Sequence, residues 1–222
     1  MKKHFLLIAG IFISSMTFAQ TKVALGVKAG VVNSTMSGDA ISNLNNLLDF
    51  AAGHITTSSR TGFFAGVNGQ IPLGGNVILE PGLYYSQKGY VMNGDLNLKG
   101  MEFLGANAKA TLQSQYLDIP VLLKANLGSG FQVFAGPQFS YLAQADLKTT
   151  AGVFGINLLD RTIDATDQFN RWDAAVTGGL GYTFKNGINL SAAYDYGLSK
   201  MDKNKNVNAY SRGIKVGLGI NF

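Results

Sequence analysis

The chain has 222 residues, a formal charge of +5, 28 glycines, 4 prolines, no cysteine and only 14% charged residues. Lack of cysteine excludes a disulfide framework, thiol chemistry and a lipidated N-terminal anchor. Without Lys2 and Lys3 of the leader the charge falls from +5 to +3, too weak a bias to imply nucleic acid. Low charge with abundant glycine and aromatics suits a membrane barrel better than a soluble helical domain.

Lys2 and Lys3 form a positive n-region, Phe5 to Ile13 an apolar stretch, and Thr17-Phe18-Ala19 a small-x-small cleavage site. Residues 1–19 therefore read as a signal peptide and 20–222 as one mature domain beginning at Gln20. No later apolar run reaches the ~18 residues of a spanning helix. An exported chain of this kind is either soluble or a barrel.

From Lys22 to Val31, Val23, Leu25, Val27, Ala29 and Val31 alternate with Ala24, Gly26, Lys28 and Gly30. That is the period of two of a strand. A polar connection follows from Asn33 to Arg60, in which Ile41, Leu44, Leu48 and Ala51 have helical spacing and Asp39 is a candidate cap. Thr61 to Ile71 is a second strand, Pro72 to Asn76 a tight turn, and Val77 to Lys88 a third strand. Gly89 to Thr111 reads as a long connection, part of which extends its flanking strands. Leu112 to Asn126 and Phe131 to Ala143 are strands four and five, joined at Leu127-Gly128-Ser129-Gly130. Lys148 to Arg171 is the third long connection. Strands six and seven, Trp172 to Phe184 and Ile188 to Leu198, meet at an Asn186-Gly187 turn that accepts positive φ at low cost. After a lysine-bearing loop, Ser199 to Ala209, the eighth strand is Tyr210 to Phe222. Its even positions are largely apolar and its odd positions small or polar.

Connections thus alternate long and short. This predicts an all-β fold: an eight-stranded antiparallel transmembrane β-barrel of outer-membrane type, with short periplasmic turns, four longer outer loops and both termini periplasmic. A soluble sandwich or lipocalin-like barrel would leave unexplained why glycine, lysine and aspartate face in while leucine and tyrosine face out. Tyr85, Tyr141, Trp172, Tyr196 and Tyr210 at the outer strand ends, with Phe131, Phe184 and Phe222 at the inner ends, form an expected aromatic girdle.

By strand parity Lys28, Lys88, Lys124 and Lys215 point inward, as do Glu80, Asp118, Asp173 and Asp195. Buried charges are costly unless paired, so these eight predict a salt-bridge network that plugs the lumen; the alternative is a selective conduit. Pro81, Pro120 and Pro137 lie within strands, where they cannot donate to the ladder, and predict bulges. Catalytic chemistry is poorly supplied. The mature chain has a single histidine, His54, placed in a loop, and no histidine–carboxylate cluster suggests zinc. Asp160, Asp164 and Asp167 lack the spacing of a calcium loop. No cofactor is expected, and the chain reads as non-enzymatic.

The stretches ALGVKAGV, GFFAGV, EPGLYYSQKGY, YLDIPVLLKANLGSGFQVFAGPQFSYL, GGLGYTFKNGINLSAAYDYGLS and RGIKVGLGINF resemble PorT-family proteins, which carry an outer membrane protein β-barrel domain. The resemblance covers nearly the whole mature chain, and its motifs speak for fold more than for task. It implies an eight-stranded outer membrane barrel; the founding member is linked to protease secretion, a role tied to none of these motifs. The functional expectation is a structural or surface-interaction protein working through its outer loops. A secretion accessory and a small channel or porin are the alternatives. Expected partners are outer membrane lipid, the barrel assembly machinery during insertion, and a protein at the outer loops or the periplasmic side, with no nucleic acid.

Overall fold

The structure, a computed structural model, describes residues 23–38, 53–96, 106–153, 156–201 and 208–222. The leader, its cleavage site and the helical stretch around 41–51 lie outside the described residues. Nine strands follow in order: β1 Ala24–Ser37, β2 Gly53–Gly74, β3 Val77–Leu96, β4 Ala106–Gly128, β5 Phe131–Val153, β6 Ile156–Asp164, β7 Trp172–Thr183, β8 Ile188–Gly197 and β9 Tyr210–Asn221. All pairings are antiparallel.

Eight strands close a ring. The order β4-β3-β2-β1-β9-β8-β7-β5 is completed by pairing of β4 with β5, so the ring has no free edge. The first and last strands seal it, with Val27 opposite Ile220 and Val31 opposite Val216. Alternation decides the facing. Leu25, Val31, Val67, Leu83, Leu123, Leu180, Val216 and Leu218 are exposed on the outside, while Asn68, Glu80, Asp118, Lys124 and Gln138 are buried inside. Among the described residues no helix is long and apolar enough to cross a membrane.

Three short connections and the end of β9 lie at one end of the ring. At the Gly128-Ser129-Gly130 turn all three residues have positive φ, 95°, 52° and 90°, which the two glycines adopt without a Cβ clash. At the other end the ring is uneven. β2, β3, β4 and β5 run for 20 to 23 residues, against 10 to 14 for β1, β7, β8 and β9. Gly89–Thr111 therefore contains the ends of two long strands.

The stretch 148–171, expected as the third long connection, is corrected to strand over much of its length. β5 continues through it to Val153 and β6 returns along it, with Asp146 opposite Asp164. Threonine and isoleucine in TTAGV and INLLDRTID favour strand, but no apolar alternation marks them, and from Leu159 to Asp164 successive residues are all exposed. β6 stands outside the ring and has β5 as its partner.

Two register shifts sit where the long strands leave the ring, between Ser59 and Phe64 of β2 and between Gln115 and Tyr116 of β4; others lie at the short turns, at Pro72–Gly74 and Asn126–Gly128. Such bulges bend a sheet and sharpen its twist. At the second, Gln115 faces Gln144 but Tyr116 faces Leu142, so Ala143 is the extra residue. Arg171 donates to the carbonyls of Leu142 and Ala143 there, at 3.4 and 3.3 Å.

The bulges expected at Pro81, Pro120 and Pro137 do not occur. Register is unchanged on either side of each. What the prolines produce instead are interruptions. Pairs are missing at Gly69–Gln70 against Glu80–Pro81, at Gly82–Leu83 against Ile119–Pro120, and at Val121–Leu122 against Gly136–Pro137. A proline removes one donor without adding a residue, so the ladder loses bonds and keeps its count.

Candidate functional site

The inward charges separate into two clusters. In the first, Glu80 of β3 receives Lys28 from β1 at 3.4 Å, Lys124 from β4, and the Gln70 amide at 2.9 Å. In the second, Asp118 of β4 is fully buried and accepts from Lys88 at 2.7 Å, Ser86 at 2.7 Å, Ser140 at 2.6 Å and Lys215 at 3.3 Å. Lys215 also meets Asp195 at 2.7 Å and the Gln138 side-chain oxygen at 3.0 Å. Thr177 donates to Asp195 at 2.8 Å. Every oxygen of these carboxylates is thereby bonded, the condition for keeping charge away from bulk water.

Antiparallel register accounts for the meetings. Glu80 on β3 lies opposite Leu122 on β4, and Lys124 is two residues on, on the same face. Lys215 on β9 lies opposite Ala193 on β8, two residues from Asp195. A same-face diagonal is within reach of a lysine stem. Lys215 to Asp118 is different, since β9 and β4 are not neighbours; that bond crosses the lumen.

Aromatic rings lie between the clusters. Phe64 and Tyr84 pack edge to face at 6.0 Å, Lys215 lies over Phe64 at 5.9 Å, and Lys124 over Phe134 at 5.6 Å. Inward glycines make the room: a Cβ on Gly217 would stand 2.6 Å from Cζ of Phe64, and one on Gly179 would stand 2.6 Å from Cζ of Phe134. The space left among these groups is a cavity of about 50 Å³ bordered by Lys28, Phe64, Tyr84, Phe134 and Lys215. Beyond the second cluster, towards the long strands, Tyr90, Leu112, Tyr116, Leu142 and Ala145 form an apolar cluster with Met36, Met92, Phe169 and Met201 against it.

Seven of the eight inward charges thus meet in ion pairs. Asp173 does not. Among the described residues no lysine or arginine pairs with it, and its Oδ1 is buried without a hydrogen-bond partner. It lies opposite Ser140, whose hydroxyl is turned to Asp118. Ser86, Gln138, Ser140, Thr177 and Gln70 were missed as members of the clusters. Their only sequence signal is that they share inward parity with the charges.

Of the girdle residues, Phe131, Tyr141, Trp172, Phe184, Tyr196 and Phe222 are exposed, whereas Tyr85 and Tyr210 are half-buried. Tyr141 and Trp172 pack at 5.1 Å. Tyr182 joins Phe131 and Phe184, each at 4.9 Å, and belongs with them. Arg212 lies 3.7 Å over the Tyr196 ring while donating to the carbonyls of Gly197 and Ser211, a way to hold a guanidinium at an apolar rim. Among the described residues no group of three metal-ligating side chains comes together. The side chain of His54 lies outside the described residues.

A family model, described as outer membrane protein beta-barrel domain, matches residues 18–203. The chain belongs to this family. Membership of an outer membrane barrel family points to the outer membrane of a Gram-negative-type cell. A comparison with curated proteins found no match. Among solved structures the barrel is similar to Neisserial surface protein A, at 12% identity and a TM-score of 0.45, covering 89% of this chain and 97% of that one. It is similar to Ail, the attachment invasion locus protein of Yersinia pestis, at 12% identity and a TM-score of 0.44, covering 90% and 98%. The outer membrane protein OprG from Pseudomonas aeruginosa has 14% identity and a TM-score of 0.44, with 91% and 97% covered.

Proposed function

We propose that this protein is a non-enzymatic outer membrane barrel whose polar lumen is plugged, and that it acts at the cell surface through the sheet and loops that rise beyond the ring. The observation that carries this is the bonding of Asp118: a fully buried carboxylate with four donors, one of which reaches it across the lumen from β9. A water-filled conduit would solvate these groups separately. With about 50 Å³ between the clusters there is room for a few waters and not for a solute file. The short turns and both chain ends then face the periplasm, the long strands face outward, and rigidly held outer segments are where binding resides. Partners in this reading are outer membrane lipid, the assembly machinery during insertion, and a protein at the outer surface.

Planar-bilayer recording tests the plug: no sustained single-channel current is expected from the intact barrel, and a stable ion-selective current would replace this reading with a small channel. A PorT-like role in secretion makes a different demand. It requires a periplasmic or outer membrane partner that is captured equally well by the intact barrel and by one with its outer hairpins shortened. Capture lost with the hairpins is the result expected here.

A further inference from the structure

The ring is closed, but the sheet that rises beyond it is not. Every ring strand has a neighbour on each side, whereas β6 has only β5. Among the described residues no strand pairs with the backbone N–H and C=O groups on its other side. Natural edges of this kind are blunted by proline, lysine or a bulge. The register shift of β6 falls early, where Leu158 is the extra residue. From Leu159 to Asp164 the pairing with β5 is unbroken, and this stretch holds neither proline nor lysine. All six of its residues are exposed. Leu159, Arg161 and Ile163 share one face, opposite Ala151, Thr149 and Leu147 of β5. On the other face Asp160 is tied to Lys148 at 3.1 Å, and Asp164 accepts from the Thr166 N–H at 2.8 Å. Arg161, between two apolar residues, has no carboxylate partner among the described residues.

We propose that β6 is a docking edge for an extended segment of another protein outside the cell, which joins the sheet as one more strand. This rests on the reading that the sheet beyond the ring works at the cell surface. A row of donors and acceptors at strand spacing is complemented by a second extended backbone, which supplies the matching row. Side chains set what that backbone carries. The residue opposite Arg161 is acidic, because opposite charges across a strand pair attract and this guanidinium has no other anion. The residues two before and two after it are apolar and lie against Leu159 and Ile163, which are 47% and 38% exposed. The docked segment therefore reads apolar-x-acidic-x-apolar, a pattern that is the same in either chain direction. Its x residues fall on the face of Asp160 and Asp164, so they are neutral or basic.

The probe is a capped heptapeptide, Thr-Val-Thr-Glu-Thr-Val-Thr, titrated into the full isotope-labelled chain in detergent micelles while backbone amide resonances are followed. Saturable shifts should appear at Leu159 to Asp164 and leave the ring amides unmoved. The same peptide with lysine at its centre should bind about fivefold more weakly. In Arg161→Glu, whose folding is checked by the mobility shift of the unheated barrel on gels, that preference should reverse. A peptide methylated on every backbone nitrogen keeps the side chains and loses its ladder donors, so it should give no saturable shift. Absence of saturable shifts with the glutamate peptide, equal binding of the methylated one, or an unreversed preference in Arg161→Glu would each overturn the docking edge. Self-association of the unchanged chain that Arg161→Glu abolishes would put a second copy in the foreign strand's place. Capture of a surface protein that depends on the outer hairpins but is unaffected by Arg161→Glu would overturn this edge and leave the surface role standing.

Discussion

β3, β4 and β5 each pass through two surroundings, and the same kind of interaction has a different meaning in each. Inside the ring, Lys215 and Asp195 meet at 2.7 Å with side chains 12% and 8% exposed. On the outer sheet Lys148 of β5 and Asp160 of β6 meet at 3.1 Å, with side chains 41% and 57% exposed. The outer pair exchanges water for a partner at little net gain, because solvent screens it and two long side chains lose freedom. The inner pair cannot return to water without opening the barrel. Similar distances therefore say little about energy; surroundings decide.

The inner cluster should break most expensively. Lys215→Met leaves Asp195 without its cation and Asp118 with one of two, so unfolding in detergent should occur at lower denaturant by about 3–5 kcal/mol. Adding Asp195→Leu should recover much of that loss, since Asp118 keeps Lys88 at 2.7 Å. An unchanged midpoint with Lys215→Met would mean the charges are solvated and the lumen is wet.

Facing gives the next effect. Val216 and Leu218 are 43% and 58% exposed on the outer wall. Arginine at either should cost about 2–4 kcal/mol at bilayer mid-depth. Asn221→Ser near the rim should be mild. Equal tolerance of Val216→Arg and Asn221→Ser in folding yield would show the two faces to be misassigned.

The outer sheet responds locally. Thr166 accepts from the Ala145 N–H at 3.0 Å, and its hydroxyl and its N–H donate to Asp164, the latter at 2.8 Å. Those bonds hold the exposed Asp164 carboxyl below the usual carboxylate range. A lowered value means a contribution present at neutral pH and lost as pH falls through the folded value. Thr166→Val should cost about 1 kcal/mol and speed amide exchange in β6 while leaving the ring amides protected. Equal acceleration throughout would mean sheet and ring unfold as one unit.

Smallest of all should be Lys148→Met, about 0–1 kcal/mol. A shift as large as that of Lys215→Met would refute the contrast between the two surroundings.

The membrane ring was legible in the sequence because its signal is local. A strand in lipid must alternate, and YSRGIKVGLGINF alternates whether or not its neighbours are known. Turn residues at positions 74–76, 128–130 and 185–187 were equally readable, since positive φ selects glycine. β6 was not legible: Leu159 to Asp164 are exposed on both faces, and INLLDRTID carries no apolar period to detect.

Parity placed eight charges inside, but could not say which of them touch. Pairing depends on register and on which strands face one another across the lumen, and both are set only when β1 closes on β9. That closure brings Lys215 to Asp118, 97 positions away in the chain, and leaves Asp173 without a cation among the described residues. The prolines make the same point. Sequence told that each would withhold a donor; the ring, whose strands cannot slip without turning every apolar side chain inward, decided that the ladders would be interrupted and not shifted.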